Sequence, residues 1–404
     1  MSSDPLPFAG LKVVDCGSYI AAPAAATVLA DLGADVVKIE PPEGDPYRYF
    51  YRSPGLPPSE RNFAWQIDAR NKRSLVLDLK RPEGLAVLQR LVGDADVFIT
   101  NLPLPVRERL RVDHAALQSL NPRLIYASFT AYGEAGAEAD KTGFDATAYW
   151  ARSGLMDLVR ADHTAPPARS VSGMGDHPSA MALFGAITTA LYRRERTGLG
   201  GVVRSSLLAN GLWANAVMVQ AELSGTIMPP RPPRSHAPNP LANLYRCRDD
   251  RWLNLTVLNE ARQFLPLLQA LDCTDLADDP RFSDQPLRLR NHVELIERLD
   301  ARFALHDLAH WRERLDRAGI TFGVIGKMAD LAQDEQMRAA GALVPLADGS
   351  GLTVSSPFEI VGTEKRAPGS APELGEHSES VLRDSGFSDD EIAALRAGGV
   401  LGAN

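Results

Sequence analysis

The first third of the chain alternates short apolar runs with stretches of helical periodicity. The runs with the length and composition of buried strands are 11–15, 36–40, 74–79, 97–100 and 124–128. Helical patterns cover 21–32, which is rich in small residues, and 82–92, where Pro82 suits the first turn. Repeated strand–helix–strand units predict an α/β fold: a Rossmann-like large domain with a mostly parallel sheet and right-handed crossovers.

The pattern changes in the second half of the chain. Apolar residues over 205–226 predict one long helix, and the proline-dense stretch 226–240 predicts a linker. A strand at 251–257 and helices at 260–271, 291–303 and 308–318 predict a smaller α+β domain within 241–330. Strand character at 351–360 and a helix at 389–398 follow. We therefore expect a large domain that begins with residues 1–225 and is rejoined by 331–404, with the small domain inserted between them.

Asp176 lies where a glycine-containing turn meets a long helical pattern. Gly173 and Gly175 precede it, and Pro178 follows near the start of the helix. The positive end of the helix dipole favours an ionised carboxylate, by about 0.3–1 kcal/mol at an exposed site. A carboxylate held beside such a turn can attack an acyl group. The alternative is a simple helix cap, since Asp is a favoured N-cap residue.

Composition narrows the classes of function. The chain has 404 residues, 45% hydrophobic and 23% charged, and its length suggests two or three domains. A formal net charge of -8 argues against nucleic acid as a partner. The three cysteines have neither metal-like nor redox-like spacing, which favours a reducing compartment. Neither a signal peptide nor a membrane span is predicted, so we expect a cytoplasmic protein without a membrane partner.

Four common site motifs are incomplete or absent. The turn after the first strand, 17–23, lacks the Gly-x-Gly-x-x-Gly pattern, which argues against a nicotinamide enzyme. His306 and His310 have the spacing of a zinc-protease helix, but the required Glu and third ligand are not evident. No metal site is predicted. Neither a Gly-x-Ser-x-Gly elbow nor a phosphate-binding loop occurs.

Several segments, taken in order, resemble the family III CoA-transferases, the group typified by formyl-CoA transferase and carnitine CoA-transferase. The segments that carry the resemblance are 6–15, 30–40, 71–74, 77–80, 82–84, Asn101, Arg109, 121–125, 143–145, 366–368 and 374–377. They span almost the whole chain in the family's order and spacing. The resemblance implies an enzyme that moves CoA from an acyl-CoA to a free carboxylic acid.

The resemblance implies that Asp176 is the nucleophile. Its carboxylate would attack the donor thioester to give an acyl–aspartyl anhydride and CoA thiolate, which would return to form an aspartyl-CoA thioester. An acceptor carboxylate would then take the place of the departed acid, and the same steps in reverse would give the new acyl-CoA. Both intermediates are activated acyl groups, so no ATP is needed, but water must be excluded. Coenzyme A is then a substrate, and no permanently bound cofactor is expected.

The resemblance also implies the CoA-binding residues. They are Cys16, Ser18, Tyr19, Ile20, Asn71, Lys72, Arg73, Asn101, Leu102 and Arg109. Lys72, Arg73 and Arg109 suit phosphate groups electrostatically, and a solvated basic face is the alternative for each of them. The implied substrate pocket contains Phe144, Asp145 and Gly175. Ile20 stands where formyl-CoA transferase has a glutamine, which makes formate and oxalate poor candidates.

Related α-methylacyl-CoA racemases share the implied fold and define one rival function. They use a histidine at the position of Phe144, and a phenyl ring cannot exchange protons. A non-catalytic acyl-CoA-binding protein is the other alternative. The family resemblance further implies an interlocked homodimer, and succinyl-CoA is a candidate donor because dicarboxylyl donors are common in the family.

Overall fold

A computed structural model describes residues 6–402. Residues 1–5, on which part of the signal-peptide expectation rests, lie outside this range. The described residues fall into two units. The larger takes the described residues up to Leu155, Arg169–Gln220 and those from Glu335 onward, and the smaller takes Met156–Ala168 and Ala221–Asp334. The smaller unit thus begins earlier than the expected 241, and it includes a segment that the sequence analysis had assigned to the large domain.

The larger unit is built on a six-stranded parallel sheet in the order β3-β2-β1-β4-β5-β6. Its strands are β1 Lys12–Asp15, β2 Asp35–Glu40, β3 Arg73–Val76, β4 Val97–Thr100, β5 Ile125–Thr130 and β6 Gly201–Ser206. A short hairpin, β10 Leu343–Pro345 with β11 Leu352–Val354, lies outside this sheet. All strands are parallel, but the order in which they are added to the sheet changes direction between β1 and β4. A change of this kind marks the place where α/β proteins bind ligands.

Helices follow most strands of the larger unit. Their bounds are α1 Ala21–Asp31, α2 Phe63–Ala69, α3 Pro82–Gly93, α4 Leu104–Arg109, α5 His114–Gln118, α7 Asp176–Thr197 and α8 Leu207–Ala214. Two further helices, α6 Leu155–Leu158 and α9 Ala216–Leu223, contain the points at which the chain passes into the smaller unit. A 3-10 helix covers Pro46–Arg52 and a π-helix covers Asp145–Ala151. The alanine-rich α1 is buried along its whole length, because small side chains let it pack closely against α7.

The smaller unit has a three-stranded antiparallel sheet, β7 Ala242–Arg246, β8 Trp252–Thr256 and β9 Phe322–Val324. Its helices are α10 Glu260–Ala270, α11 Gln285–Arg290, α12 His292–Phe303, α13 Leu308–Arg317 and α14 Met328–Leu331, with 3-10 turns at Arg234–His236 and Thr274–Ala277. Trp311 packs edge-on against Phe303, which stacks on Tyr245. These buried aromatic rings form the centre of its core.

The C-terminal helices complete the larger unit. They are α15 Glu335–Ala339, α16 Ser378–Asp384 and α17 Asp389–Ala397. Val381, Leu382 and Ile392 share a core with Leu75 of β3 and Phe98 of β4. Both chain ends therefore contribute to one hydrophobic core. Within residues 6–402, no helix combines the length and hydrophobicity needed to cross a membrane.

The prediction of a single helix over 205–226 is wrong. Val202 and Val203 extend along β5 as strand β6, since branched side chains suit a pleated sheet better than a helix. Ser206 ends the strand and caps α8, its Oγ accepting a hydrogen bond from the backbone of Ala209 at 3.2 Å. The helical stretch is then interrupted at Asn215 before α9 begins.

Candidate active site

A cavity of about 740 Å³ opens at the carboxyl ends of β1, β4 and β5. Its walls are the loops that follow these strands, the start of the π-helix and the turn that leads into α7. The lining includes 18–21, 101–103, 129–131, 142–147, Ser172, Gly173 and Asp176. All of these residues belong to the larger unit. The cavity therefore coincides with the reversal of strand order, where an α/β fold is expected to bind its ligand.

Asp176 is the first residue of α7 and faces this cavity. The capping position is held by Gly175, so the alternative in which Asp176 itself is the N-cap does not apply. Gly175 packs so closely that a Cβ atom there would lie 2.7 Å from Cγ of Tyr149. Its backbone N–H donates to Oδ2 of Asp145 at 3.2 Å. The absence of a side chain at Gly175 thus determines where α7 begins, and with it the position of the Asp176 carboxylate.

Burial raises the pKa of Asp176 to about 7, and the nearby charges of Asp145 and Asp68 add to this effect. His177 acts in the opposite direction. We expected the helix dipole to keep this carboxylate ionised. That expectation is wrong, because loss of solvation and like charges raise the pKa of Asp176 by more than the dipole lowers it. A carboxyl group with such a pKa is partly protonated at neutral pH and is a stronger nucleophile, once ionised, than an ordinary aspartate.

A buried carboxylate, Asp68 of α2, lies close enough to Asp176 for its charge to affect that group. The hydroxyl of Tyr47 donates to its Oδ2 at 2.7 Å, and Nε2 of His177 lies 3.0 Å from its Oδ1. The other ring nitrogen of His177 lies 3.1 Å from the carbonyl oxygen of Gly173. The sequence alone predicts no role for these residues. Only the position of His177, next to Asp176, could have suggested one.

The loop after β1 is held rigidly at the mouth of the cavity. The amide of Asn101 makes two hydrogen bonds to Ser18, accepting from its N–H at 2.8 Å and donating to its carbonyl at 2.7 Å. Asp45 accepts from the Ser18 hydroxyl at 2.9 Å. Tyr19 adopts a left-handed conformation with φ 60°, which is unfavourable for a bulky residue and must be enforced by these contacts.

Phe144 and Asp145 lie on the opposite side of the cavity, as implied for the substrate pocket. Phe144 is 57% exposed, and its ring meets Tyr19 edge-on with 5.5 Å between centroids. Asp145 is buried and accepts hydrogen bonds from the backbone of Ala146 and Gly175. An aromatic ring thus replaces any proton-exchanging group at this point of the wall.

A second cavity of about 310 Å³ adjoins the first, and Ser18 and Leu102 line both. Cys16, Leu77, Lys80 and Leu110 are among its other lining residues. Burial raises the pKa of the Cys16 thiol to about 12, so this sulfur is protonated and unreactive. Arg109 is exposed in the last turn of α4, next to Leu110. Lys80 was not assigned a role from the sequence, although it belongs to one of the segments that carried the family resemblance.

The structure does not bring the segment 71–73 to either cavity. Nζ of Lys72 is fully buried and pairs with Asp15 at 2.9 Å, so it is not accessible to a phosphate group. The expectation that Lys72 contacts CoA phosphates is therefore corrected: this lysine neutralises a buried carboxylate at the end of β1. The burial of both charges requires such a pairing.

The neighbours of Lys72 are occupied in a similar way. Arg73 pairs with Asp35 at 2.5 Å and with Asp384 at 2.6 Å. Asn71 has φ 62°, donates to Asp31 at 3.0 Å and accepts from the backbone of Gly369 at 2.9 Å. These contacts join the C-terminal part of the chain to the sheet, which is a structural role.

Fold and cavity together define an α/β enzyme whose ligand site presents a partly buried carboxylate at a helix start. The chain matches the model of CoA-transferase family III over residues 8–378 and belongs to that family. The predicted resemblance is confirmed, and the protein is a CoA-transferase that acts between acyl-CoAs and acids.

Two curated relatives and one solved structure align along nearly the whole chain. The chain is 32% identical over 392 residues to (R)-2-hydroxy-4-methylpentanoate CoA-transferase of Clostridioides difficile, covering 95% of this chain and 96% of that protein. It is 31% identical over 396 residues to cinnamoyl-CoA:phenyllactate CoA-transferase of Clostridium sporogenes, covering 96% and 95%. A crystal structure of a CAIB/BAIF family protein from Brucella suis superposes with a TM-score of 0.85 and 28% identity, covering 95% of this chain and all of that one (100%).

Proposed function

We propose that the protein transfers CoA through covalent intermediates on Asp176. The observation that carries this proposal is the position of Asp176 on the cavity wall, at the first turn of α7, with its carboxyl partly withdrawn from solvent. Desolvation raises the reactivity of the ionised carboxylate, and the backbone of Gly173 on the cavity lining lets a thioester approach closely.

The proposed reaction proceeds by reversible acyl transfers. An oxygen of the Asp176 carboxylate attacks the thioester carbon of the donor, the C–S bond breaks, and CoA leaves as a thiolate from an acyl–aspartyl anhydride. The thiolate then attacks the aspartyl carbonyl carbon, so that the donor acid departs as a carboxylate and an aspartyl-CoA thioester remains. An acceptor carboxylate attacks this thioester, and the expelled thiolate takes the new acyl group. Each step forms one acyl bond and breaks another.

The two adjoining cavities support an orientation for CoA. The smaller cavity lies beyond the carboxyl ends of β1 and β2, where α/β folds accommodate nucleotides. Lys80 on its lining and the nearby Arg109 would face the phosphates in this orientation. The pantetheine arm would pass Ser18 and Leu102, which line both cavities, and reach Asp176.

Two hypotheses for the acids follow from different observations. Succinyl-CoA as donor comes from the family resemblance, and a relative named succinyl-CoA:glutarate CoA-transferase, from Mus musculus, agrees with it. The lining of the larger cavity favours an apolar or aromatic monocarboxylic acid, since it contains Ile20, Phe50, Phe144 and Leu207 and, among the described residues, no lysine, arginine or histidine. A second carboxylate would lack a cationic partner there. The relatives named for 4-methylpentanoate and phenyllactate chemistry agree with the second hypothesis.

Racemisation is the rival reaction, and Phe144 argues against it. Racemisation would wash deuterium from the solvent into the α-position of a 2-methylacyl-CoA, whereas acyl transfer does not involve that proton. We expect exchange to be negligible beside transfer. Exchange at a comparable rate would favour the racemase.

A homodimer is part of the proposal. Large apolar side chains on α8 and at the start of α9, both in the larger unit, are strongly exposed in the single chain: Trp213 at 81% and Val217 at 80%. Exposed apolar side chains on neighbouring turns are typical of a subunit interface. A cytoplasmic location stays a prediction from the sequence.

Trapping the intermediate tests the proposed function. The enzyme is incubated with acyl-CoA alone and then treated with hydroxylamine, which converts an activated aspartyl ester or anhydride into a hydroxamate and leaves an ordinary carboxylate unchanged. We expect one modified peptide, the one that contains Asp176, in mass spectra. An unmodified peptide under conditions in which donor is consumed and product forms would rule out covalent catalysis. The Asp176→Asn variant provides the matched blank.

A further inference from the structure

The ring of His177 faces a hydrogen-bond acceptor at each of its nitrogens. Nδ1 lies 3.1 Å from the carbonyl oxygen of Gly173, which can only accept. Nε2 lies 3.0 Å from Oδ1 of Asp68, whose second oxygen already accepts from the hydroxyl of Tyr47. A neutral imidazole has one N–H and could satisfy one of these partners, whereas an imidazolium satisfies both. The geometry therefore favours the charged form of His177.

The carboxylate that holds this ring is itself fixed from several sides. The Asp68 side chain is 3% exposed, and its backbone carbonyl accepts from the hydroxyl of Thr27 in α1 at 2.6 Å. Burial works against a charged ring, but the hydrogen bond and charge of Asp68, the carbonyl of Gly173 and the charge of Asp176 together raise the pKa of His177 to about 8. The pair thus presents a cation immediately beside the nucleophile at neutral pH.

The charges around Asp176 explain what such a cation contributes. Asp145 and Asp68 both disfavour ionisation of Asp176, and burial does so more strongly. Tyr47 is neutral, because burial and its hydrogen bond to Asp68 raise the pKa of its hydroxyl far above the ordinary value. His177 opposes these effects and favours the ionised form of Asp176.

We propose that His177, held as an imidazolium by Asp68 and Gly173, is a positioning residue that keeps Asp176 ionised for attack on the thioester. The contacts of its ring with Gly173 and Asp68 also fix the Gly173 turn against the start of α7. The positive charge beside Asp176 and the shape of this turn therefore both depend on the side chain of His177. This role rests on the proposed function, since it presupposes that Asp176 is the nucleophile.

The pH dependence of kcat/KM for acyl-CoA tests the role in the full chain. Replacing His177 by glutamine (His177→Gln) keeps a polar side chain but removes the charge, so we expect the acidic limb of the profile to move up by about one pH unit. That shift corresponds to roughly a tenfold loss at pH 6 that recovers by pH 9. Asp68→Asn weakens the charge of His177 but also removes a negative charge that itself raises the pKa of Asp176, so we expect it to shift the limb less than His177→Gln does. The double variant should shift it no further than the larger single effect, because the two residues act through one another.

Controls separate this role from general damage. His292→Gln, on a partly exposed histidine at the start of α12 in the smaller unit, should leave the profile in place. Equal loss of activity at every pH in His177→Gln would reduce the residue to a structural contact, and an unchanged profile would also overturn the proposal. If Asp176 is trapped by hydroxylamine while the limb does not move, this inference fails and the proposed function stands. If Asp176 is not trapped and Asp176→Asn retains turnover, the proposed function fails.

A measurement on the unaltered protein covers the case in which His177→Gln does not fold. The imidazole carbon resonances of protein labelled with ¹³C-histidine report the protonation state directly. The His177 signal can be assigned by comparison with the Tyr47→Phe variant. This substitution removes only the hydroxyl that donates to Asp68, so the signal of the histidine bound to Asp68 should shift. We expect a histidine that is still mostly protonated at pH 7. A His177 signal typical of neutral imidazole at that pH would overturn the proposal.

Discussion

At the residue scale, the proposed chemistry of the cavity depends on how far Asp176 is ionised. The position of this aspartate at a glycine turn before a helix could be predicted from the sequence. Its raised pKa could not, because the charges responsible come from Asp68 and Asp145, which are distant along the chain and meet it only in the fold. The same limit explains Lys72: a lysine in a family segment suggests a phosphate ligand, and only the structure reveals its buried partner, Asp15.

Removing the charge of the proposed nucleophile should abolish transfer. Asp176→Asn keeps the size of the side chain but cannot form the anhydride, so we expect kcat to fall by about a thousandfold or more. CoA binding, measured by calorimetry, should change little, since the amide still fits the cavity. Turnover above a few per cent, with deamidation excluded by mass spectrometry, would show that Asp176 is not the nucleophile.

The raised pKa of Asp176 also gives a stability signature of definite sign. The unfolded chain titrates this group near 3.8 and the folded protein near 7, so its favourable contribution is present at low pH and is lost as pH rises between these values. Asn does not titrate. The Tm of Asp176→Asn minus that of the unaltered protein should therefore increase from pH 4 to pH 8 in thermal scans. A difference that is constant with pH would contradict the raised pKa.

At the element scale, the start of α7 depends on the missing side chain of Gly175. Gly175→Ala would force a Cβ against Tyr149, so we expect the helix start to shift and kcat to fall by at least about tenfold, because misplacement of a reacting group is costly. Gly185→Ala is the matched control in the same helix. A Cβ there meets nothing within 4 Å, so this variant should keep its activity and gain about 0.5–1 kcal/mol of stability. Comparable kinetics for the two variants would contradict this account of the turn.

The loop after β1 depends in a similar way on the amide of Asn101. Asn101→Ala removes both hydrogen bonds to Ser18, so we expect the KM for acyl-CoA to rise by about tenfold or more as Tyr19 leaves its left-handed conformation. Asn121→Ala is a matched control, since Asn121 donates two hydrogen bonds to the backbone of Val92 and Ala95, away from the cavity. The control should lower Tm without raising KM. A similar KM for both variants would remove the link between this loop and CoA.

Most elements of the parallel sheet could be predicted because their apolar runs are short and lie between turn residues. Strand β6 could not, since its sequence, Gly201–Ser206, runs directly into an apolar helix and no turn residue separates the two. Only pairing with β5 decides that Val202 and Val203 are extended. The π-helix Asp145–Ala151 likewise has no local sequence pattern to distinguish it from an ordinary helix.

At the scale of the whole molecule, the exposed apolar side chains of α8 and α9 should mediate self-association. One chain has a mass of 43.8 kDa, and we expect light scattering to give twice this value. Replacing both Trp213 and Val217 by aspartate would place charges in the proposed interface and should shift the protein toward the monomer. Lys80→Ala, exposed on the larger unit at the second cavity, is the control that should keep the oligomeric state. A monomeric unaltered protein at micromolar concentration would refute the dimer.

The closure of one core by both ends of the chain affects how the protein can be made. Trp65 donates its indole N–H to the carbonyl of Pro372 at 3.0 Å, and the backbone of Val76 in β3 donates to the hydroxyl of Ser378 at 3.3 Å. A nascent chain whose last helices are still inside the ribosome cannot form these contacts, so the outer edge of β3 and the apolar side chains behind it stay uncovered. We therefore expect the larger unit to complete its folding only after α16 and α17 have left the ribosome, and removal of these two helices to give an aggregation-prone chain rather than a shorter enzyme.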